Sequence, residues 1–358
     1  MRFEQVSNSP ALRDFLALPE RLHDHRYVPT PHQTIKQWYR DGVGLYLLRD
    51  NSGRVIARTT LHTDAAFDAK LGRRSQLFGL TEFRPGAGGA LFDEICSAAR
   101  RNGRDAVFGP VSLLPNQAGG VITSGFEERG FIDSAWNPEH YPLEYETFGF
   151  TRRFEADTWI CPTTSEPSAV FGFDDSRLAT EQLRLHRGDK KRIATQLPIL
   201  REMLNASFDQ LGYYTSISAE QLAAQTDGLA YLLDESLLLY LTKAGRPVAF
   251  VLCVPDISEF LGKIGGDLGV RNQLRLLATR SRYRREAVLV IKGTVPDQQG
   301  HGYMRYLSRE LLRNLRAGGY QQLRSTFVEH ANPASAAHYR AMGGRPLHGY
   351  TFYERDLR

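Results

Sequence analysis

The run Gln299-Gly300-His301-Gly302 carries the densest chemical signal in the chain. It follows the strand-like segment Ala287-Val288-Leu289-Val290-Ile291-Lys292-Gly293-Thr294-Val295 and precedes Tyr303-Met304-Arg305-Tyr306-Leu307, after which Tyr303, Leu307, Leu311 and Leu315 recur at four-residue intervals. This spacing predicts a strand, a glycine turn and a helix starting close to Gly302, with one apolar stripe turned towards a sheet. A helix N-terminus entered through glycines aims several unpaired backbone N–H groups and the positive end of the helix dipole at one point, which suits a diphosphate. Glycine matters because a Cβ would hold the anion away from the backbone. A plain strand-to-helix turn uses the same glycines, so the neighbouring residues must discriminate.

Downstream, Leu323-Arg324-Ser325-Thr326-Phe327-Val328-Glu329 reads as the next strand, and Asn332-Pro333-Ala334-Ser335-Ala336-Ala337-His338-Tyr339 as the opening of a helix capped by Asn332, with Pro333 at its first position. These segments resemble motif A and the following elements of the GNAT acyltransferase superfamily, in which Gln/Arg-x-x-Gly-x-Gly/Ala wraps the pyrophosphate of coenzyme A. Gln299, Gly302 and Met304 occupy the three places, Met304 standing where the family has a small residue. The resemblance implies a coenzyme A site at Val295, Gln299, Gly300, His301, Gly302, Tyr303, Met304 and Asn332, the last contacting the pantetheine arm as well as capping its helix. It places Tyr339 near the thioester sulfur as proton donor to the departing thiolate, a transfer between groups whose ordinary acidities lie within about two pKa units. Tyr339 serves equally well as a core aromatic.

Transfer to an amine needs a base. Glu329 and His330, at the end of the strand after the phosphate helix, are the catalytic candidates, and Asp256 and Glu259 the acceptor-binding ones; each also reads as a solvated loop residue or cap. No metal is expected.

The order of the elements that hold these residues repeats along the chain. Leu45 to Leu48 turns through Asp50-Asn51-Ser52-Gly53-Arg54 into Val55-Ile56-Ala57, and Leu237 to Leu241 turns through Lys243-Ala244-Gly245-Arg246 into Pro247-Val248-Ala249. Each hairpin is followed by an amphipathic helix ending at glycine (Ala90 to Gly103; Tyr303 to Gly319) and then by a strand. Asn137, Tyr141 and Gly149-Phe150 repeat as Asn332, Tyr339 and Gly343-Gly344. Any two α/β domains share hairpins and helices, yet the repeated Gly-Arg-x-Ile/Val-Ala turn favours duplication. The whole chain resembles a family of bacterial tandem GNAT proteins, marked by Asn137-Pro138-Glu139-His140-Tyr141, Pro255-Asp256-Ile257-Ser258-Glu259 and Tyr350-Thr351-Phe352-Tyr353-Glu354. The expected fold is α/β (α+β): two tandem domains, each a mixed, mostly antiparallel twisted sheet flanked by helices. The first spans 1–160, a linker 161–180 and the second 181–358, the linker lying in the Asp-, Thr-, Ser- and Pro-rich, aperiodic stretch Glu155 to Glu181. In the first half, Arg84-Pro85-Gly86-Ala87-Gly88-Gly89 stands where a phosphate loop belongs and reads as a degenerate copy.

The chain has 358 residues and is 42% hydrophobic, enough for more than one core, and its excess of 45 Lys and Arg over 40 Asp and Glu suits an anionic ligand. Three widely spaced cysteines without a CxxC pair suggest neither a disulfide framework nor a zinc site. No stretch is long and apolar enough to span a bilayer, and the expected setting is cytoplasmic. The arginines between Arg271 and Arg285 read first as a solvated amphipathic helix and second as a basic lip for coenzyme A phosphates, an acidic acceptor, an anionic membrane surface or RNA.

The expected function is acyl-CoA-dependent N-acyl transfer, moving an acetyl or longer group to an amine-bearing small molecule. The expected partners are therefore a coenzyme A thioester and that amine; nucleic acid is not expected, and a homodimer is allowed. Two alternatives stay open: a tRNA-dependent aminoacyl transferase, and an acyl-CoA-binding module without turnover, for which Met304 and the lack of an unmistakable base speak.

Overall fold

The computed structural model describes residues 1–113, 119–226 and 233–357. Its strands are β1 (Arg2–Gln5), β2 (Gly44–Arg49), β3 (Val55–His62), β4 (Ser75–Phe83), β5 (Ala106–Gly109), β6 (Val121–Ile122), β7 (Thr151–Pro162), β8 (Leu183–Arg187), β9 (Leu238–Lys243), β10 (Arg246–Pro255), β11 (Glu286–Thr294), β12 (Gln322–Glu329) and β13 (Arg345–Asp356). All belong to one sheet, in the order β1-β2-β3-β4-β5-β13-β7-β12-β11-β10-β9-β8, with β6 beside β13. Every pairing is antiparallel except β4 with β5 and β11 with β12. The α/β class and the mixed, mostly antiparallel sheet flanked by helices therefore hold, and the two halves join into one continuous sheet.

Both expected hairpins form, β2–β3 and β9–β10, and their turns place Gly53 and Gly245 at φ of +82° and +84°, where a side chain would be strained. Strand β9 is buried along Leu238 to Leu241, side chains of both parities included, which is why it reads as a continuous apolar run rather than an alternation. One helix, Ile193–Phe208, packs near β10 and β11, and a second, Tyr303–Ala317, packs against β9, β10 and β11. The four-residue stripe is fully used: Tyr303, Leu307, Leu311 and Leu315 are all buried.

The halves exchange strands at their junction. β7 lies between β12 and β13, and β13 lies between β5 and β7. The aperiodic stretch Glu155 to Glu181 thus begins inside β7. The first half of that strand, with Arg152, Arg153 and Glu155 in it, carries exposed charges, whereas Ala156, Thr158, Trp159 and Cys161 are buried, so no single period runs through it. Among the described residues no helix is long and apolar enough to cross a membrane, and no group of three His, Cys, Asp or Glu side chains could hold a metal ion. All three cysteines are free and buried.

Candidate functional site

In the second half, β11 and β12 pair in parallel from Glu286–Gln322 to Leu289–Ser325 and no further. Beyond that point the strands part, bridged by the Thr326 hydroxyl, which donates to the Val290 carbonyl at 2.9 Å. The register of β10 against β11 jumps at the same place, Leu252 facing Ile291 but Cys253 facing Leu289, so Val290 is an extra residue in a bulge. The result is a V-shaped gap whose apex lies at Leu289 and Ser325.

The open end of β11 runs into the glycine loop. Val295 still donates to Val248, and Gln299 Nε2 reaches back to the Thr294 carbonyl at 3.3 Å. Gly300 and Gly302 both take φ of +80°; a Cβ on Gly300 would meet nothing within 4 Å, and one on Gly302 would meet only the Arg177 guanidinium at 3.9 Å. The helix begins at Tyr303, with Gly302 as its N-cap. Among the described residues, the backbone N–H groups of Gly300, His301, Gly302, Tyr303 and Met304 have no acceptor. The loop is fixed from behind, since the Tyr303 hydroxyl donates to Glu181 at 2.5 Å and accepts from Lys243 at 3.0 Å. Met304 packs its side chain on the core beneath the helix. His301 is exposed, its Nδ1 3.1 Å from the Gln299 carbonyl oxygen.

Tyr339 sits on the helix Pro333–Ala341 at 3% exposure, stacked on Trp159 and within hydrogen-bonding reach of Ser325 at the apex of the gap. Burial raises its pKa, so the phenol stays protonated at neutral pH. Beside it stands a residue that sequence reasoning missed. Lys292 Nζ lies 4.3 Å over the Tyr339 ring, and Lys292, Leu289, Ser308, His338 and Tyr339 line the same small closed cavity. Desolvation lowers the lysine to about 8, with no carboxylate paired to it among the described residues. His338 is pushed down to about 4 by burial and by Lys292 and Arg305. Leu289 and Lys292 are three residues apart, a spacing that a regular strand would put on opposite faces; the bulge at Val290 restores them to one face.

The remaining candidates are placed as follows. Asn332 accepts from the Ser335 N–H at 3.1 Å, so it is a helix cap. Glu329 lies four residues past the apex, close to Tyr213 on the opposite face of the sheet from Tyr339. His330 Nε2 is 3.2 Å from Asp157 and largely exposed. Asp256 and Glu259 are not brought to the gap. Asp256 accepts from Arg129 at 2.7 Å and from the Ser258 N–H, and its own N–H donates to the Glu286 carbonyl, at the closed end of β11. Glu259 pairs with Lys263. A carboxylate following a strand reads as a site residue, but this strand end faces away from the gap.

The first half repeats the device with its anion site filled from within. β4 and β5 pair only from Ser75 to Leu77, and the loop Arg84 to Gly88 leads into the helix Gly88–Arg101. Here the Glu144 carboxylate accepts from Gly86 and Gly88, both at 2.8 Å, occupying the place an external anion would take. The same half buries His23, 2.5 Å from Glu82, to which the Tyr141 hydroxyl also donates at 3.0 Å.

No protein-family model matches the chain. It is similar to Protein YghO of Escherichia coli, 22% identical over 73% of this chain and 70% of that one, and to a protein named bacterial ceramide synthase from Caulobacter vibrioides, 22% identical over 98% and 96%. Among solved structures it superposes on a tandem GNAT protein from the clavulanic acid biosynthesis pathway with a TM-score of 0.58 at 12% identity, covering 100% of this chain and 98% of that one. It also superposes on the GCN5-related glucosamine N-acetyltransferase region of a fungal multi-domain enzyme, with a TM-score of 0.60 at 13% identity, covering 99% of this chain but only 38% of that one. With its parted parallel strands, glycine-led helix and duplicated order of elements, the chain thus shares the tandem GNAT fold.

Proposed function

We propose that the second half binds an acyl-coenzyme A and transfers its acyl group to an amine carried on a long-chain lipid. The observation that carries the reading is the set of five acceptor-free N–H groups from Gly300 to Met304, opening beside strands that part at Leu289 and Ser325. Such a corner grips a diphosphate through backbone donors and the helix dipole, while the gap leaves room for an extended arm. Arg177, over the Tyr303 ring, and Lys243 share the single Glu181 carboxylate and so leave a net positive charge nearby.

In the reaction, the amine nitrogen bonds to the thioester carbonyl carbon and the C–S bond breaks with its electron pair on sulfur. A base removes the amine proton and an acid protonates the thiolate. Tyr339 and Lys292 both face the cavity near the apex. Thiols ionise near 8.5, so Lys292 at about 8 is matched to neutralise a thiolate, with the protonated phenol as a second donor. The amine proton goes to Glu329, the expected base on the face of the sheet opposite Tyr339. Backbone N–H groups beside the Val290 bulge supply donors for the carbonyl oxygen.

The acceptor class rests on the Caulobacter relative. A ceramide is the amide of a long-chain amino alcohol, so the acceptor chemistry its name implies is a primary amine on an alkyl chain. The test is calorimetric binding of coenzyme A and acyl-CoA, followed by thiol release with long-chain amino alcohols as acceptors. Binding abolished by blocking the glycine loop, together with amine-dependent thiol release, supports the reading. A crystal with coenzyme A bound elsewhere, or no binding at all, overturns it.

A further inference from the structure

Among the described residues five large hydrophobic side chains are exposed, and three of them lie on one helix: Val270 (73%), Leu274 (62%) and Leu277 (38%) of Val270–Thr279. Positions i, i+4 and i+7 form a single stripe. The helix is not loose. Leu276, on another side, is buried against Ile257, Phe260, Leu261 and Leu268, while Asn272 and Gln273 tie its start to the carbonyls of Asp267 and Leu268. The stripe is therefore held outward by a docked helix.

Its surroundings are basic. From Leu268 to Arg285 there is no Asp or Glu, and Arg271, Arg275, Arg280, Arg282 and Arg285 are exposed and make no salt bridge among the described residues; Arg284 alone pairs, with Asp234 at 3.7 Å. An outward apolar stripe beside unpaired guanidinium groups complements an anionic bilayer surface: acyl chains take the leucines and headgroup phosphates the arginines. RNA would use the arginines but leave the stripe in water.

We propose that this helix docks the protein peripherally on an anionic lipid surface. The inference goes beyond acyl transfer and stands without it. The helix and the following turn lead directly into Glu286, the closed end of β11, whereas the glycine loop follows Thr294 at the other end, so roughly 26 Å separates the two at about 3.3 Å per residue. The docked face and the anion-binding corner lie at opposite ends of one strand.

The test is co-sedimentation of the full chain with phosphatidylcholine vesicles and with vesicles in which part of the phosphatidylcholine is replaced by phosphatidylglycerol. Binding is expected only to the anionic vesicles, weakened about tenfold or more both by Leu274→Glu and by the double change Arg271→Gln, Arg275→Gln. Each altered side chain is exposed, so unchanged melting temperatures keep the comparison clean. The proposal fails if wild-type protein sediments with neither vesicle, or with both equally. It also fails if Leu274→Glu binds as wild type. Leu274-dependent dimerisation in solution without vesicle binding would assign the stripe to a second copy, and RNA binding that withstands Leu274→Glu would assign the arginines to nucleic acid.

Discussion

Lys292 makes a prediction that is independent of any substrate. Its Nζ is held over the Tyr339 ring with no carboxylate beside it among the described residues, and burial lowers it from 10.5 to about 8. At 1.36 kcal/mol per pH unit, that fall sets an upper bound of about 3 kcal/mol on the stability lost to keeping the ammonium of this half-buried residue charged. The unfolded chain binds this proton more tightly, so unfolding takes up a proton between pH 8 and 10.5 and the lysine's contribution to stability rises with pH across that window. The penalty is fully present below pH 8. Lys292→Met keeps the length of the stem and removes the charge. It should therefore stabilise the protein at pH 7, by up to about 3 kcal/mol in urea melts, with the advantage vanishing towards pH 10.5. The neighbours do not confuse the window, since His338 sits at about 4 and Cys161 is raised to about 12. The same variant should lose most of its turnover, because it can no longer neutralise a thiolate. A variant less stable than wild type at pH 7, or an advantage that persists unchanged at pH 10.5, would refute the argument.

Tyr339→Phe should lower kcat about a hundredfold or more with KM for the acyl-CoA little changed, while stability moves by no more than about 1.5 kcal/mol; equal losses in kcat and affinity would reduce the phenol to packing. Gly302→Ala, at φ of +80°, should cost roughly 1–2 kcal/mol of backbone strain by thermal melting and weaken coenzyme A binding by calorimetry, and an unchanged affinity would move the anion site away from this corner. Glu144→Ala should destabilise the first half by about 1.5–3 kcal/mol, partly restored by sulfate; no sulfate effect would mean that Gly86 and Gly88 do not form an anion site.

The glycine loop and its helix were legible because both report locally: two glycines mark the turn, and Tyr303, Leu307, Leu311 and Leu315 mark one face. The two hairpins were legible for the same reason. The strand exchange was not, since which strands lie beside β7 depends on partners far away in sequence. Lys292 was hidden by the bulge: strict alternation puts it with Val288 and Val290, away from Leu289, and only the extra residue turns it towards Tyr339. Asp256 misled in the opposite way. Its place after a strand suggested a site, but Arg129 and Arg324, contributed by the two halves, hold it at the closed end of β11.

The exchange of β7 and β13 bears on how the chain is made. Thr151 and Glu354, which meet in the finished sheet, are 203 residues apart. At about 5–20 residues per second, a ribosome takes roughly 10–40 s to deliver the second after the first. Throughout that interval the emerging first half presents the outer edge of β5 unpaired, a template for any passing strand. Its solubility in the cell should thus depend on how quickly translation proceeds or on a chaperone shielding that edge, and slow codons between the two segments should raise the aggregated fraction.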